Sequence, residues 1–291
     1  MSEPVVNVQG RACNVITFTP QQYEGDKRLP REHTRWMLGF CQKVFRREPD
    51  ETQQFLDVGC GIGDLTREEL LPRCLPCRRI VAVDLSAEMV DHAARHYHHD
   101  KLQFRKLDIE SDEDVAEFID EHGLFDRVYS FHAITWVRDQ AKALKNVARL
   151  LKPRGECLLL FHASLRSFDV NHELLKMERW SKYSHLVNQI VLKTQDMNGD
   201  ERIEYMSRIL AEAGLSPSII ELPVCTFFDN MSIESVAESY ALLIPLAMVV
   251  SQNEKPQLLA DVAQETMKMH HPDIDRTRYR MYVIKASKMN K

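Results

Sequence analysis

The stretch Phe55-Leu56-Asp57-Val58-Gly59-Cys60-Gly61-Ile62-Gly63-Asp64-Leu65-Thr66 reads as an apolar strand running into a glycine-rich turn and then a helix. Glycines at alternate positions let the backbone approach a ligand where any side chain would collide. Such a ligand lies at the carboxyl end of the strand, in the crevice that open α/β sheets present. The dinucleotide fingerprint G-x-G-x-x-G/A fails here. Counting from Gly59 puts Asp64 at its third small position, which disfavours a nicotinamide cofactor.

Two carboxylates outside this loop point to a nucleoside. Asp84 ends the strand Arg79 to Val83, about 20 residues beyond the glycines, where a carboxylate accepts hydrogen bonds from ribose hydroxyls. Asp108 ends the next strand, Leu102 to Leu107, placed to accept from an exocyclic adenine amine while Leu85 and Ile109 flank the ring. The alternative is a tight strand-to-helix turn whose carboxylates are merely solvated.

The same alternation extends along the chain. A helical pattern covers His33 to Phe45, a helix runs from about Gly63 to Leu71, and Ser86 caps a helix with Met89, Val90, Ala93, Ala94 and Tyr97 on one face. Strands at Arg127 to Phe131 and Cys157 to Phe161 flank a helix striped by Leu144, Val147, Ala148 and Leu151, and Lys152-Pro153-Arg154-Gly155 supplies a turn. This rhythm predicts an α/β fold: a doubly wound, mostly parallel seven-stranded sheet, Rossmann-like, built from right-handed crossovers. After Phe161 it breaks. A long amphipathic helical stretch is expected over His172 to Lys193, a helix near Arg202 to Ala213, a strand around Ile219 to Phe228, two helical patterns within Ser232 to Met269, and a closing strand over Tyr279 to Ala286. The expected organisation is an N-terminal arm or cap over 1–30 and a single domain over 31–291, with helical insertions at about 165–200 and 232–270 forming a substrate cap.

With its acidic-x-G-x-G-x-G loop, the chain resembles the S-adenosylmethionine-dependent methyltransferases of the seven-stranded fold, chiefly over Phe55 to Phe161. The resemblance implies S-adenosyl-L-methionine as cofactor. It implies that Asp57 and the glycines Gly59, Gly61 and Gly63 hold its methionine part and that Asp84 binds the ribose; Cys60, Leu85, Asp108, Ile109, Ser130 and Phe131 are the further cofactor-binding candidates.

The segment Ser130-Phe131-His132-Ala133-Ile134-Thr135-Trp136-Val137-Arg138-Asp139-Gln140 is similar to the matching stretch of arthropod juvenile hormone acid O-methyltransferases, as are Lys145 to Leu159 and Phe168-Asp169 with Trp180 to Tyr183. By that resemblance the acceptor is a hydrophobic small-molecule carboxylic acid, a farnesoic-type terpenoid or a fatty acid, converted to its methyl ester. A carboxylic acid is already ionised at neutral pH, so no general base is required. Trp136 suits the orienting of the carboxylate, because its indole N–H only donates; it also reads as a core tryptophan. His132 is the base the site would use if the acceptor were a hydroxyl, and it also reads as a packing residue. In place of the family's carboxylate-holding N-terminal glutamine this chain has Leu29-Pro30-Arg31-Glu32, so Arg28, Arg31 and His33 are candidates for that role or ordinary surface residues.

Composition bounds the alternatives. The net charge of −5 and pI near 6.2 speak against a nucleic-acid backbone binder. The start lacks a secretory signal, and the most apolar run, Tyr240 to Val250, contains Pro245 and is too short for a membrane span. An odd count of 7 cysteines argues against a disulfide framework and for a reducing, cytoplasmic setting. Cys74-Leu75-Pro76-Cys77 lacks a second ligand pair, and His96-Tyr97-His98-His99 reads as a solvated helix end, so no metal site is expected. The stripes of His172 to Lys193, with Met248 and its neighbours, read as a lid over a hydrophobic substrate or as core.

Overall fold

Phe55 and Leu56 leave strand β1 (Gln54–Val58) on opposite faces, and both are fully buried. That is possible only in a sheet covered on both sides. The computed structural model describes residues 19–20, 23, 28–188, 192–224, 232–269 and 280–289. The strands β2 (Arg79–Asp84), β3 (Leu102–Lys106), β4 (Phe125–Phe131), β5 (Leu151–Ser164), β6 (Leu215–Glu221) and β7 (Arg280–Lys288) join β1 in the order β3-β2-β1-β4-β5-β7-β6. The pairs β1·β2, β2·β3, β1·β4 and β4·β5 are parallel, and β7 runs antiparallel to both neighbours. The sheet is therefore mixed, with a parallel half carrying the crossover helices.

Leu56, Val81, Val128 and Leu159 pack on one face with Val115, Phe118, Leu144, Val147 and Ile209 from the helices Asp112–His122, Gln140–Leu150 and Gly199–Glu212. On the other, Phe55, Ile80, Tyr129 and Leu158 meet Leu38, Leu71 and Ala93. Sequence reading did not single out the helix Asp112–His122, although Ser111 caps it by accepting from the Asp114 amide at 3.1 Å.

The N-terminal helix spans Arg28–Cys41 and is followed by a 3-10 turn, Gln42–Val44, so it crosses the expected boundary at Arg31. Pro30 is tolerated because it lies in the first turn, where amide groups have no intrahelical acceptor. The rest of the expected arm lies outside the described residues, apart from Thr19, Pro20 and Tyr23. The helix after the glycine loop continues past Leu71 to Cys74, and its π-helical segment Thr66–Leu70 directly precedes Leu71 and Pro72. The expected turn at 152–155 is an excursion inside β5: pairing with β4 jumps from Phe125↔Leu151 to Arg127↔Glu156.

The expected continuous helix over His172 to Lys193 is instead three pieces, Arg166–Leu175, Glu178–Ser181 and Ser184–Val187, with 189–191 outside the described residues. Tertiary anchors override the periodicity. The Trp180 indole donates to Asp261 Oδ2 at 2.8 Å, and the Tyr183 hydroxyl to Glu254 Oε2 at 2.6 Å. Leu174, Trp180 and Val187 still bury together, in a separate helical core with Val236, Ile244 and Val262 from the second inserted region. That region forms helices Ile233–Leu243, Leu246–Val249 and Lys255–Met269. The strand expected near Ile219 begins earlier, at Leu215, and tolerates Pro217 because β6 is an edge; residues 225–228 of that expectation and Tyr279 of the closing strand lie outside the described residues.

Candidate active site

From β1 the chain runs outward to β3 and then returns to β4 on the other side of β1, which opens a crevice at the carboxyl ends of these strands. An open cleft occupies that place. Gly59, Gly61, Asp84, Leu85, Asp108 and Ile109 line it, as do Phe131, His132 and Trp136. Sequence reading had named all nine.

The glycines divide by role. Gly59, Gly61 and Gly63 all have positive φ, of 78°, 54° and 82°. A Cβ on Gly59 would stand 2.0 Å from the Ala133 Cβ, and one on Gly63 would stand 2.7 Å from the Ala93 Cβ and 2.8 Å from the Phe104 ring. These two are small because protein packs against them. At Gly61 the nearest atom to such a Cβ is in the Tyr23 ring, at 3.8 Å, and both residues line the cleft. Gly61 is therefore where backbone is bared to a ligand.

Asp84 ties the loop down. Its Oδ2 accepts from the Gly61 amide at 2.9 Å and its Oδ1 from the Ser86 amide at 2.9 Å. Each oxygen keeps acceptor capacity for a further donor. Burial raises its pKa against the pull of these amides. Asp108 Oδ1 accepts from the Glu110 amide at 2.9 Å, which shapes the turn beyond β3. Between them Leu85, Met89, Ile109 and Val137 supply an apolar slot. A carboxylate at each of two strand ends, an apolar slot and bared loop backbone together suit a nucleoside with a polar tail.

Other expected residues lie behind this surface. Asp57 is buried beneath the loop, accepts from the Thr66 hydroxyl at 2.6 Å, and is pushed up to about 7, first by burial and secondarily by the Asp84 charge. Cys60 turns into the core, where burial raises its thiol pKa. The Ser130 hydroxyl donates to the Val58 carbonyl at 2.9 Å, bracing β4 against β1.

His132 has a left-handed backbone, φ 65°, uncommon for a residue with a side chain. It opens the 3-10 turn Ala133–Trp136. Its Nε2 is hydrogen-bonded to Thr34 Oγ1 at 3.1 Å, and its Nδ1 is buried. Trp136 closes the turn, half-buried, with its ring against Phe168 at 6.3 Å and beside Leu165 and Leu192. Arg31 does not serve the cleft: its guanidinium pairs with Asp64, 3.4 Å away, and with Glu68. The side chains of Arg28 and His33 lie outside the described residues.

Sequence reading missed Tyr23 and Thr34 as site residues. Both precede the glycine loop by tens of residues, and Thr34 is brought in by the packing of the N-terminal helix. Tyr23 stands over Gly61, its phenol pKa raised by burial and by Asp64, Asp84 and Asp57. Among the described residues no His, Cys, Asp and Glu group is arranged to hold a metal, and no helix is long and apolar enough to cross a membrane.

Residues 56–159 match the family model described as a methyltransferase domain. Over 197 residues the chain is 34% identical to juvenile hormone acid O-methyltransferase of Bombyx mori, covering 65% of this chain and 67% of that protein. With the Drosophila melanogaster protein of the same name it shares 31% over 172 residues, 58% of this chain and 57% of the relative. A malonyl-acyl-carrier-protein O-methyltransferase of Halalkalibacterium halodurans is 30% identical over 217 residues, 74% of this chain and 72% of its own. Among solved structures, the YcgJ protein of Bacillus subtilis superposes with TM-score 0.52 at 16% identity, covering 88% of this chain and 99% of that one, a likeness of fold alone.

Proposed function

The chain belongs to the S-adenosylmethionine-dependent methyltransferases, and we propose that it esterifies a hydrophobic carboxylic acid, of farnesoic or fatty-acid type. When bound, S-adenosylmethionine supplies an electrophilic methyl carbon on a sulfonium. In this reading Asp84 accepts from the ribose hydroxyls, Asp108 meets the adenine edge between Leu85 and Ile109, and the loop at Gly61 holds the amino-acid tail above Asp57.

The observation that carries the acceptor class is the imidazole of His132. Its Nε2 is engaged by Thr34 and its Nδ1 is buried, so in this reading neither nitrogen is placed to take a proton from the acceptor. Of the cleft's carboxylates, Asp84 ends β2 and Asp108 follows β3, across β1 from the turn with Trp136, while Glu110 is engaged by the Asp139 amide, from which its Oε1 accepts at 2.9 Å. A phenol or alcohol needs its proton removed in the transition state. A carboxylate does not. The named acceptors of the relatives, juvenile hormone acid and a malonyl group, are also acids.

The residues at the end of the turn then have a simple task. Trp136 holds one carboxylate oxygen through its N–H, and the apolar wall of Trp136, Phe168 and Leu192 excludes water from the reacting pair. Orienting the reactants contributes as much as about 7–11 kcal/mol to such a transfer. The inserted helices cover the acceptor chain. Labelled-methyl transfer across acids, phenols and amines tests the reading: ester formation supports it, and exclusive ether or amine methylation refutes it.

A further inference from the structure

Two helices of this chain meet the same demand at their start in different ways. The amide of an N-cap residue has no acceptor within the helical ladder, and a Glu at the third helical position is the side chain that reaches back to it. The helix Gly199–Glu212 follows that rule: Asn198 caps it, and Glu201 Oε2 accepts from the Asn198 amide at 2.8 Å. The helix Gln140–Leu150, which follows the Trp136 turn, has Lys142 at that position, and a lysine cannot accept. Asp139 caps it by accepting from the Lys142 amide at 3.0 Å, and the Asp139 amide donates instead to Glu110 Oε1, 29 residues earlier in the chain, at 2.9 Å.

This borrowed cap ties two sides of the cleft together. Glu110 belongs to the loop after β3, where its own amide donates to Asp108 Oδ1. Asp139 follows Trp136 after Val137 and Arg138, and Val137 lines the same apolar slot as Ile109. The beginning of the turn is anchored elsewhere, by Ala133 against Gly59 and by Gln140 Nε2, which donates to the Ile134 carbonyl at 3.3 Å. Further along the helix, Asn146 Nδ2 donates to the Ile109 carbonyl at 2.9 Å. Between these anchors Glu110 fixes the exit of the turn.

We propose that Glu110 is a positioning residue for the methyl transfer: by accepting from the N-cap amide that Lys142 cannot serve, it sets the exit of the turn, and with it the Trp136 indole, relative to the loop that ends β3. The inference rests on the carboxylate reading above, in which that indole orients the acceptor. Glu110 acts through Trp136 and not on the acceptor.

The test is a double-variant cycle read with farnesoic acid. Glu110→Ala should lower kcat/KM at least about fivefold with S-adenosylmethionine affinity within about twofold of wild type, because orientation is lost and the cofactor contacts remain. Glu110→Gln, whose amide oxygen still accepts, should stay within about twofold of wild type in both. In a Trp136→Phe background Glu110→Ala should cost less than about twofold, since the donor it positions is already gone. Glu110→Ala/Lys142→Glu restores a cap within the helix without the tie to the loop, so melting temperature should recover and kcat/KM should not. Independently of any acceptor, the indole 15N–1H resonance of Trp136, assigned by its absence in Trp136→Phe, should shift in Glu110→Ala and not in Glu110→Gln. Equal losses in the two backgrounds, turnover that recovers together with the melting temperature, or an unmoved indole resonance in Glu110→Ala overturns the inference. A wild type that forms no ester refutes the carboxylate reading instead, and the indole resonance then decides the inference alone.

Discussion

The Gly61 amide donates to Asp84 Oδ2 at 2.9 Å, so the loop after β1 and the end of β2 are one unit. Replacing Asp84 by Ala removes that tie and the acceptor for the ribose hydroxyls together. Charge-assisted hydrogen bonds contribute about 1.5–3 kcal/mol each, so S-adenosylmethionine affinity should fall by at least about tenfold. Calorimetric titration checks this, and unchanged affinity would mean that the nucleoside lies elsewhere.

Gly59 and Gly61 should fail differently. A methyl group at Gly59 meets Ala133 at 2.0 Å on a backbone of positive φ. Gly59→Ala should lower the melting temperature by about 5–10 °C, from overlap and left-handed strain combined. Gly59→Ala/Ala133→Gly should recover the overlap part. Gly61→Ala has room for its Cβ and carries only the left-handed strain of φ 54°, so it should cost less stability than Gly59→Ala and chiefly lose cofactor affinity.

Asp57 makes the cofactor-free protein sensitive to pH. Burial raises its folded pKa to about 7 from the ordinary 3.8. The native state therefore holds the proton more tightly than the unfolded chain, and this contribution is present at low pH and lost as pH rises through about 7. Denaturant titrations of wild type and Asp57→Asn should diverge as pH rises from about 4 to about 7 and run parallel above that, the Asn variant gaining relative stability across this window. Parallel pH dependences within it would show that Asp57 is not the group responsible.

Trp136→Phe keeps the aromatic bulk against Phe168 and removes the donor. Turnover on the acid should drop by about tenfold to a hundredfold, the worth of one hydrogen bond to a charged group, with cofactor affinity within about twofold of wild type. Equal losses in both would make Trp136 a packing residue.

The parallel half of the sheet and its glycine loop are legible in the sequence because local signals coincide there: apolar runs of strand length, glycines needing positive φ, and acids at strand ends. The broken helices between Arg166 and Val187 are not, since their apolar period persists while the anchors that break it, Asp261 and Glu254, lie far along the chain. The same limit applies to the site. Asp84 and Asp108 follow from their place at strand ends and Trp136 from the resemblance of its segment, whereas Thr34 is an unremarked helix residue until tertiary packing sets it against His132. Cys60 and Ser130 were named from the motif, yet their side chains serve the core and the β1–β4 junction.

The most direct measurement is the pH dependence of methyl transfer to farnesoic acid by the purified protein, with the labelled product identified as ester. Without a general base, kcat/KM should persist below the ordinary imidazole range near about pH 6.5, down towards the acid's own pKa of about 4–5, while the protein remains folded. Loss of activity through the imidazole range that is abolished by His132→Ala, or a product that is an ether rather than an ester, would contradict carboxylate methylation.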